Sequence, residues 1–185
     1  IAGEKSLNRR IAVMDLNRPG LALGGFLDHF RPERIQIIGF GEQAYCMKAS
    51  PARLTAALEA MFQPRELPCL ILTHSLKTPP ALVSACRKNG VPLLRSSLDT
   101  ATLVSELGDV LEEKLAPTTT VHGVLVDIYG LGVLIQGEPG IGKSECALEL
   151  LKRGHILVAD DAVEIRHHRG AVLRGFCPEP LKHYL

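Results

Sequence analysis

The residues best suited to chemistry form the segment 137–144, whose sequence is Gly-Glu-Pro-Gly-Ile-Gly-Lys-Ser. This is a full G-x-x-x-x-G-K-S pattern, in which glycines let backbone N–H groups converge on phosphate oxygens. Lys143 can reach the β- and γ-phosphates of a nucleotide, and the Ser144 hydroxyl can ligate Mg²⁺. The pattern predicts a nucleotide site whose binding residues are Gly137, Glu138, Pro139, Gly140, Ile141, Gly142, Lys143 and Ser144.

The segments on either side are those that a phosphate loop needs. An apolar run at 132–136 precedes the loop and predicts a strand, and a helical pattern covers 145–153. The positive end of that helix's dipole would add to the attraction for phosphate. A plain glycine-rich turn is the alternative, and this setting argues against it.

Two adjacent acids, Asp160 and Asp161, end the next apolar run, 155–159. In phosphoryl-transfer sites a strand-end acid near the loop helps to hold Mg²⁺ or takes the proton of the attacking nucleophile, and two acids can divide these roles. Because successive strand side chains point to opposite faces, one acid of the pair is expected to face the nucleotide. A solvated pair in a turn is the alternative.

His122 is a further candidate because of its place in the chain. It begins an apolar run, 122–128, that is separated by turn residues from the run 133–136. Two such runs predict a β-hairpin that leads into the phosphate loop, with His122 near the phosphates. A lone histidine at a strand start is, however, more often structural.

The first 115 residues alternate short apolar runs with helical patterns, which predicts an α/β domain with a doubly wound parallel sheet. The strands are expected at 35–38, 69–73 and 91–95. Helix starts are expected at Ser50–Pro51, with Ser50 as the cap, at Pro79–Pro80, and at Asp99 or Thr100. Gly90 is expected to end the second of these helices. The strand ends carry no complete nucleotide fingerprint.

Bulk composition narrows the possible classes of protein. The 185 residues are 46% hydrophobic and 22% charged, which favours a globular chain. A net charge of +1 gives no electrostatic case for nucleic acid or an anionic membrane, and no apolar run approaches the about 18 residues of a membrane span. Five scattered cysteines and no visible export signal favour reduced thiols and a cytoplasmic location.

At this point the chain resembles a known family, bacterial HPr kinase/phosphorylase. The segments that carry the resemblance are 17–23, 32–34, 92–95, 115–122, 121–130, 137–145, 152–155 and 158–161. The resemblance implies an amino-terminal α/β domain at 1–115. It also implies that 116–185 is the start of a P-loop kinase domain similar to that of phosphoenolpyruvate carboxykinase. By position, His122, Lys143 and Asp161 match the family's catalytic residues, and Ser144 matches its Mg²⁺ ligand.

The resemblance also implies an activity, cofactors and partners. The family phosphorylates a serine of HPr, the phosphocarrier protein of the sugar phosphotransferase system, with ATP or pyrophosphate as donor and Mg²⁺ as cofactor. It reverses the reaction by phosphorolysis, in which inorganic phosphate is consumed and pyrophosphate is released. Asp161 would accept the serine proton and return it in reverse. Members are usually hexamers, and further catalytic and HPr-binding parts lie beyond Leu185, so this fragment is expected to be incomplete and inactive alone.

Two other functions stay open from the residues themselves. A P-loop ATPase or nucleotide-binding switch would hydrolyse ATP without phosphorylating a protein. A non-catalytic fragment would instead use its amino-terminal domain to dock a partner or ligand. The products of labelled ATP distinguish the first alternative from a protein kinase, because only a kinase transfers the label to a protein serine.

Overall fold

A computed structural model of the chain describes residues 2–3, 6–64, 66–168, 170 and 172–178. The chain divides into two compact units, Ile1–Leu115 and Ala116–Leu185, and each unit has its own β-structure. Among the described residues, no helix combines the length and the apolar character that crossing a bilayer requires.

The first unit is built on a four-stranded parallel sheet. Its strands lie side by side in chain order: β1 (Leu16–Asn17), β2 (Ile35–Ile38), β3 (Leu70–Leu72) and β4 (Leu93–Arg95). The helices between and after them are α1 (Gly20–Leu23), α2 (Phe40–Lys48), α3 (Pro51–Phe62), α4 (Pro80–Asn89) and α5 (Thr100–Leu115).

Both faces of this sheet are covered by helices. Leu70 and Leu72 of β3 pack into a core that includes residues of α1 to α4. Ile71, between them, packs with Ile37 and with residues of α5 on the opposite face. Strands buried on both faces need apolar residues at consecutive positions, which is why they appear as continuous apolar runs. The α/β domain with a parallel sheet and helices on both faces is therefore confirmed.

Proline and glycine set the helix ends in this unit. α3 begins at Pro51 and α4 at Pro80, since the fixed φ of proline suits the first helical turn. α4 ends where Gly90 adopts a left-handed conformation, with φ 60° and ψ 38°. Ser50 is the N-cap residue of α3, as expected, but its side chain makes no capping hydrogen bond. Its carbonyl accepts the Leu54 N–H at 3.0 Å.

Asp99, not Thr100, is the cap of α5. Its Oδ1 accepts the backbone N–H groups of Ala101, at 2.9 Å, and Thr102, at 3.0 Å. Its Oδ2 accepts the Thr102 hydroxyl at 2.6 Å. These bonds favour the ionised carboxylate and lower the pKa of Asp99, and the bond from the Thr102 hydroxyl has the largest effect. The choice that the sequence left open is decided by this bonding.

Glu42 is a buried carboxylate in the first turn of α2. Its side chain is 8% exposed, and Oε2 accepts bonds from Arg18 Nη2 at 2.8 Å and from the Gly39 N–H at 3.1 Å. Burial by itself would raise the pKa of Glu42. The bond from Arg18 and bonds from the N–H groups of Glu42 and Gly39 outweigh burial, so the pKa lies below its usual value of 4.5.

This lowered pKa makes the first unit sensitive to acid. Because the folded state favours the ionised form of Glu42, the stabilisation is present above the unfolded pKa and is lost as the pH falls below about 4.5. We expect the unfolding free energy of Glu42→Gln to fall less than that of the parent protein between neutral and acidic pH. Glu59→Gln is the control, since Glu59 is 45% exposed and pairs with Lys88 at the surface. Urea unfolding followed by circular dichroism measures both; identical pH profiles for Glu42→Gln and the parent would contradict the assignment.

Three cysteines of the first unit are packing residues. Burial raises the pKa of Cys69 to about 11 and that of Cys86 to about 12. Burial, followed by the nearby charge of Glu42, raises the pKa of Cys46 to about 11. A thiol whose thiolate is so disfavoured is a poor nucleophile or metal ligand. These residues therefore act as small apolar side chains in the two cores.

The second unit contains two three-stranded antiparallel sheets and, among its described residues, one helix. In chain order its elements are β5 (Thr118–His122), β6 (Val124–Ile128), β7 (Leu131–Ile135), α6 (Lys143–Lys152), β8 (Ile156–Ala159), β9 (Ala162–His168) and β10 (Val172–Phe176). One sheet has the order β7–β6–β8 and the other β10–β9–β5. Ala147 of α6 packs on Val124 and Val126 of β6, which fixes the helix against its sheet.

Candidate nucleotide site

The predicted hairpin before the loop is present. β6 pairs with β7 in antiparallel register, from Val124 opposite Ile135 to Ile128 opposite Leu131. The turn between them is closed by Gly130, whose φ is +85° and whose N–H donates to the Asp127 carboxylate at 2.7 Å. One residue, Gln136, lies between the end of β7 and the segment 137–144, so the hairpin sets where that loop starts.

The segment 137–144 has the curled backbone that its glycines predict. Gly140 and Gly142 have φ values of +81° and +102°, a conformation that other residues rarely adopt. Inside the loop the Ile141 N–H donates to the Glu138 carbonyl at 3.3 Å. Helix α6 begins at Lys143, two residues before the expected start at 145. The N–H groups of a first helical turn have no partner within the helix, so they are suited to bind an anion.

Lys143 lies over the start of its own loop. Its Nζ donates to the carbonyls of Gly137 and Glu138, both at 3.0 Å. An ammonium group has three N–H donors, so two such bonds leave it one for a phosphate oxygen. The Ser144 side chain is exposed in the first turn of α6, where its hydroxyl can meet a ligand.

The structure corrects the place of His122. This residue ends β5, opposite Ala162 of β9, and does not begin the hairpin strand. Gly123 follows β5 outside any strand, and β6 begins at Val124 in the other sheet. A Cβ atom at Gly123 would lie 2.8 Å from the Ile135 carbonyl oxygen, closer than real Cβ contacts. Only glycine therefore allows the chain to cross between the sheets at this point.

This crossing contacts both other parts of the predicted site. Gln136, the residue before the loop, donates from Nε2 to the His122 carbonyl at 3.3 Å. The Gly123 N–H donates to the Asp161 carbonyl at 3.2 Å. The residues 122–123 thus adjoin the start of the loop on one side and the acidic pair on the other.

The acidic pair lies in a turn between β8 and β9, so the expectation of strand geometry is wrong. Asp161 has a left-handed φ of +65°, which aspartate tolerates better than most residues. Asp160 is half-buried and its Oδ1 accepts the Asp161 N–H at 2.9 Å, whereas the Asp161 side chain is exposed. The two carboxylates therefore have different surroundings: Asp160 stabilises the turn, and Asp161 faces solvent.

Two side chains of the candidate site, Ser144 and Asp160, have oxygens of the kind that Mg²⁺ takes as ligands. Within the described part of the chain, no group of three or more His, Cys, Asp or Glu side chains could hold a metal. Mg²⁺ in nucleotide sites usually takes one or two protein oxygens and fills its other positions with phosphate oxygens and water. The Ser144 hydroxyl and the second oxygen of Asp160 are donors of this kind.

Comparison with known proteins decides the family. Residues 1–111 match the family model described as HPr Serine kinase N terminus, and residues 113–185 match that described as HPr Serine kinase C-terminal domain. The chain belongs to the HPr serine kinase family. The resemblance noted in the sequence is thereby confirmed over both halves.

Several relatives of the HPr serine kinase family are similar along the whole chain. Proteins named HPr kinase/phosphorylase from Brevibacillus brevis and Bacillus licheniformis are each 48% identical over 185 residues, and one from Bacillus cereus is 47% identical. These matches cover 100% of this chain but 59%, 59% and 60% of those proteins. The chain therefore spans about three fifths of the length of the curated relatives it matches.

One solved structure of an HPr kinase is also similar. It is described as the Hpr(Ser) kinase/phosphatase from Coxiella burnetii and is 44% identical to this chain. The match covers 33% of this chain and 36% of that one, with a TM-score of 0.31.

The sequence patterns do not indicate a place in the candidate site for Gly123 or Gln136. The apolar run 122–128 predicts one continuous strand that includes Gly123, and the run 133–136 predicts a partner strand that ends at Gln136. The signal at Gly123 was available, because a glycine directly after His122 interrupts an otherwise apolar run and marks a close approach of two backbones. Nothing in the sequence pairs Gln136 with the His122 carbonyl, since that contact depends on how the two sheets meet.

Proposed function

We propose that this chain contains the amino-terminal domain, 1–115, and the start of the catalytic domain, 116–185, of an HPr kinase/phosphorylase. In the complete protein, this domain would transfer a phosphoryl group to a serine of HPr and would reverse the transfer by phosphorolysis. The observation that carries the proposal is the crossing at 122–123, which hydrogen-bonds to Gln136 before the loop and to Asp161. The names of the relatives support the same activity.

The loop's part in this reaction is positioning and charge neutralisation. Phosphoryl transfer asks for little covalent chemistry from the protein, so most of the rate comes from holding the polyphosphate in line and balancing its charge. The N–H groups of the segment 137–144 and the ammonium of Lys143 would do this. When bound, Mg²⁺ would neutralise further charge, with Ser144 and Asp160 as its protein ligands.

Asp161 is the proposed general base. Its exposed carboxylate can be reached by the hydroxyl of a docked protein, whereas the Asp160 carboxylate is engaged inside the turn. A carboxylate that accepts the serine proton in the forward direction returns it to the serine oxygen in reverse, which makes one residue sufficient for both directions. His122, exposed at the end of β5, can offer an imidazole N–H to a phosphate oxygen.

The remaining parts of the proposal follow from family membership. They are ATP or pyrophosphate as donor, a hexamer built through the catalytic domain, a cytoplasmic location, and a role in carbohydrate metabolism through the phosphotransferase system. The loop itself suits any ligand that ends in a di- or triphosphate, because its N–H groups bind phosphate and not base.

Product analysis tests the activity. The complete protein is incubated with γ-labelled ATP, Mg²⁺ and purified HPr. We expect the label on a serine of HPr, and we expect added inorganic phosphate to remove it as labelled pyrophosphate. Label found only as free phosphate would contradict the proposal and support the alternative, an ATPase or nucleotide-binding switch. Inactivity of the 185-residue chain alone would agree with the proposal, since the chain covers 59% of its relatives.

A further inference from the structure

The first unit has a cavity that the nucleotide chemistry does not use. It has a volume of about 110 Å³ and lies between the end of β1, helix α1 and the segment 26–30. Its lining includes Asn17, Arg18, Leu21, Phe26, His29 and Phe30. We propose that it binds a small organic anion, which has one oxyanion head, either a carboxylate or a phosphate monoester, on an apolar body of about one ring.

The polar side of the cavity favours an anion. Arg18 and His29 both line it, and none of its described lining residues is acidic. One nitrogen of Arg18 is bonded to the buried Glu42 at 2.8 Å, yet the arginine side chain is still 55% exposed. A guanidinium has five N–H donors in a planar fork. The bond to Glu42 therefore orients the group and leaves donors for an oxyanion.

The other side of the cavity is apolar and open. Leu21 is 73% exposed and Phe26 is 49% exposed, which is high for side chains of this size. The Phe26 ring meets the His29 ring edge to face, with 6.5 Å between centroids. An apolar body against Leu21 and Phe26 would remove this surface from water while its head contacts Arg18 and His29.

Size and position agree with this ligand class. A cavity of about 150 Å³ accommodates benzene, so 110 Å³ with an open side suits one ring that is partly outside. The cavity lies where β1 ends, and parallel α/β sheets bind ligands at the carboxyl ends of their strands. All of its residues belong to the first unit, so the proposal stands independently of the reaction assigned to the second.

Amide chemical shifts of the 185-residue chain test the proposal directly. The probes are phenyl phosphate and benzoate, and the matched controls are inorganic phosphate, which lacks the ring, and benzyl alcohol, which lacks the charge. We expect saturable shifts at residues 17–30 with at least one probe, and binding at least about tenfold weaker for both controls. The stronger probe identifies the preferred head. Shifts confined to 137–145, or no saturation at 17–30 up to about 10 mM of either probe, would overturn the proposal that this cavity binds an organic anion.

Charge variants at exposed positions test whether the probe binds at this cavity. Leu21 is exposed, so Leu21→Glu and Leu21→Gln are both tolerated, and they differ only in a carboxylate at the rim. We expect the better probe to bind Leu21→Glu at least about tenfold more weakly than Leu21→Gln, because the added carboxylate repels the negatively charged head of the probe at short range. Val110→Glu, an exposed position on α5, adds the same charge elsewhere and should change nothing. Equal weakening by Leu21→Glu and Val110→Glu, or none by either, would exclude the cavity.

Discussion

Asp161→Asn in the complete protein is expected to abolish phosphoryl transfer to HPr while nucleotide binding stays close to normal. An amide has nearly the shape of a carboxylate but cannot accept the serine proton, and a positioned general base is worth about 10²- to 10⁴-fold in rate. The fold should survive, because asparagine tolerates the left-handed φ of +65°. The substitution also leaves two backbone hydrogen bonds of residue 161 in place. Its N–H donates to the Asp160 carboxylate, and its carbonyl accepts the Gly123 N–H.

The neighbouring acid provides a matched control for this experiment. Asp160→Asn keeps an oxygen that can accept the Asp161 N–H, so the turn is retained. If Asp160 helps to hold Mg²⁺, this variant should need more Mg²⁺ and still transfer phosphate. Transfer is measured as label on HPr, and nucleotide binding by equilibrium titration. Near-normal transfer by Asp161→Asn would remove Asp161 from its role, and equal losses in both variants would assign the effect to the turn as a whole.

Local rules predicted much of the first unit's fold. The starts of α3 at Pro51 and α4 at Pro80, and the end of α4 at Gly90, follow from the backbone preferences of proline and glycine alone. The buried strands follow from continuous apolar runs. Helix α2 was missed because it begins at Phe40 between two glycines, and its start depends on the Glu42 carboxylate accepting the Gly39 N–H. That bond can be inferred only when the burial of Glu42 is known.

The site was predicted less completely because its geometry is non-local. The phosphate-binding pattern has fixed spacing, so the residues of 137–144 could be named from the sequence. The place of His122 could not, since whether a chain crosses between sheets depends on the approach of Gly123 to Ile135. Asp160 and Asp161 were placed on a strand because they follow an apolar run, whereas the left-handed φ of Asp161 turns the chain there. Sequence spacing names candidate residues, whereas the contacts between them depend on contacts between distant parts of the chain.

Gly123→Ala is expected to damage both the stability of the second unit and the proposed reaction. The new Cβ atom would lie 2.8 Å from the Ile135 carbonyl oxygen, a backbone atom that cannot rotate away. Relieving this contact would require β7 to move away from the crossing at 122–123. Overpacking of this kind costs about 1–3 kcal/mol in unfolding free energy. A displacement of about 1 Å at a catalytic constellation can cost about 10²-fold in rate, and β7 leads directly into the loop.

Gly132→Ala is the matched control for this substitution, because Gly132 lies on the same strand β7 and its Cβ would meet only Leu125 Cδ1 at an ordinary 3.6 Å. Urea unfolding of the 185-residue chain compares the free energies of unfolding, and transfer to HPr by the complete protein compares the rates. If the crossing positions the site, Gly123→Ala loses transfer and Gly132→Ala keeps it. Normal transfer by a folded Gly123→Ala protein would contradict this role of the crossing. It would mean that the hydrogen bonds of residues 122–123 with Gln136 and Asp161 do not position the loop and the acidic pair for the reaction. The proposal that His122 is catalytic, which is argued from its place at this crossing, would then lose its support.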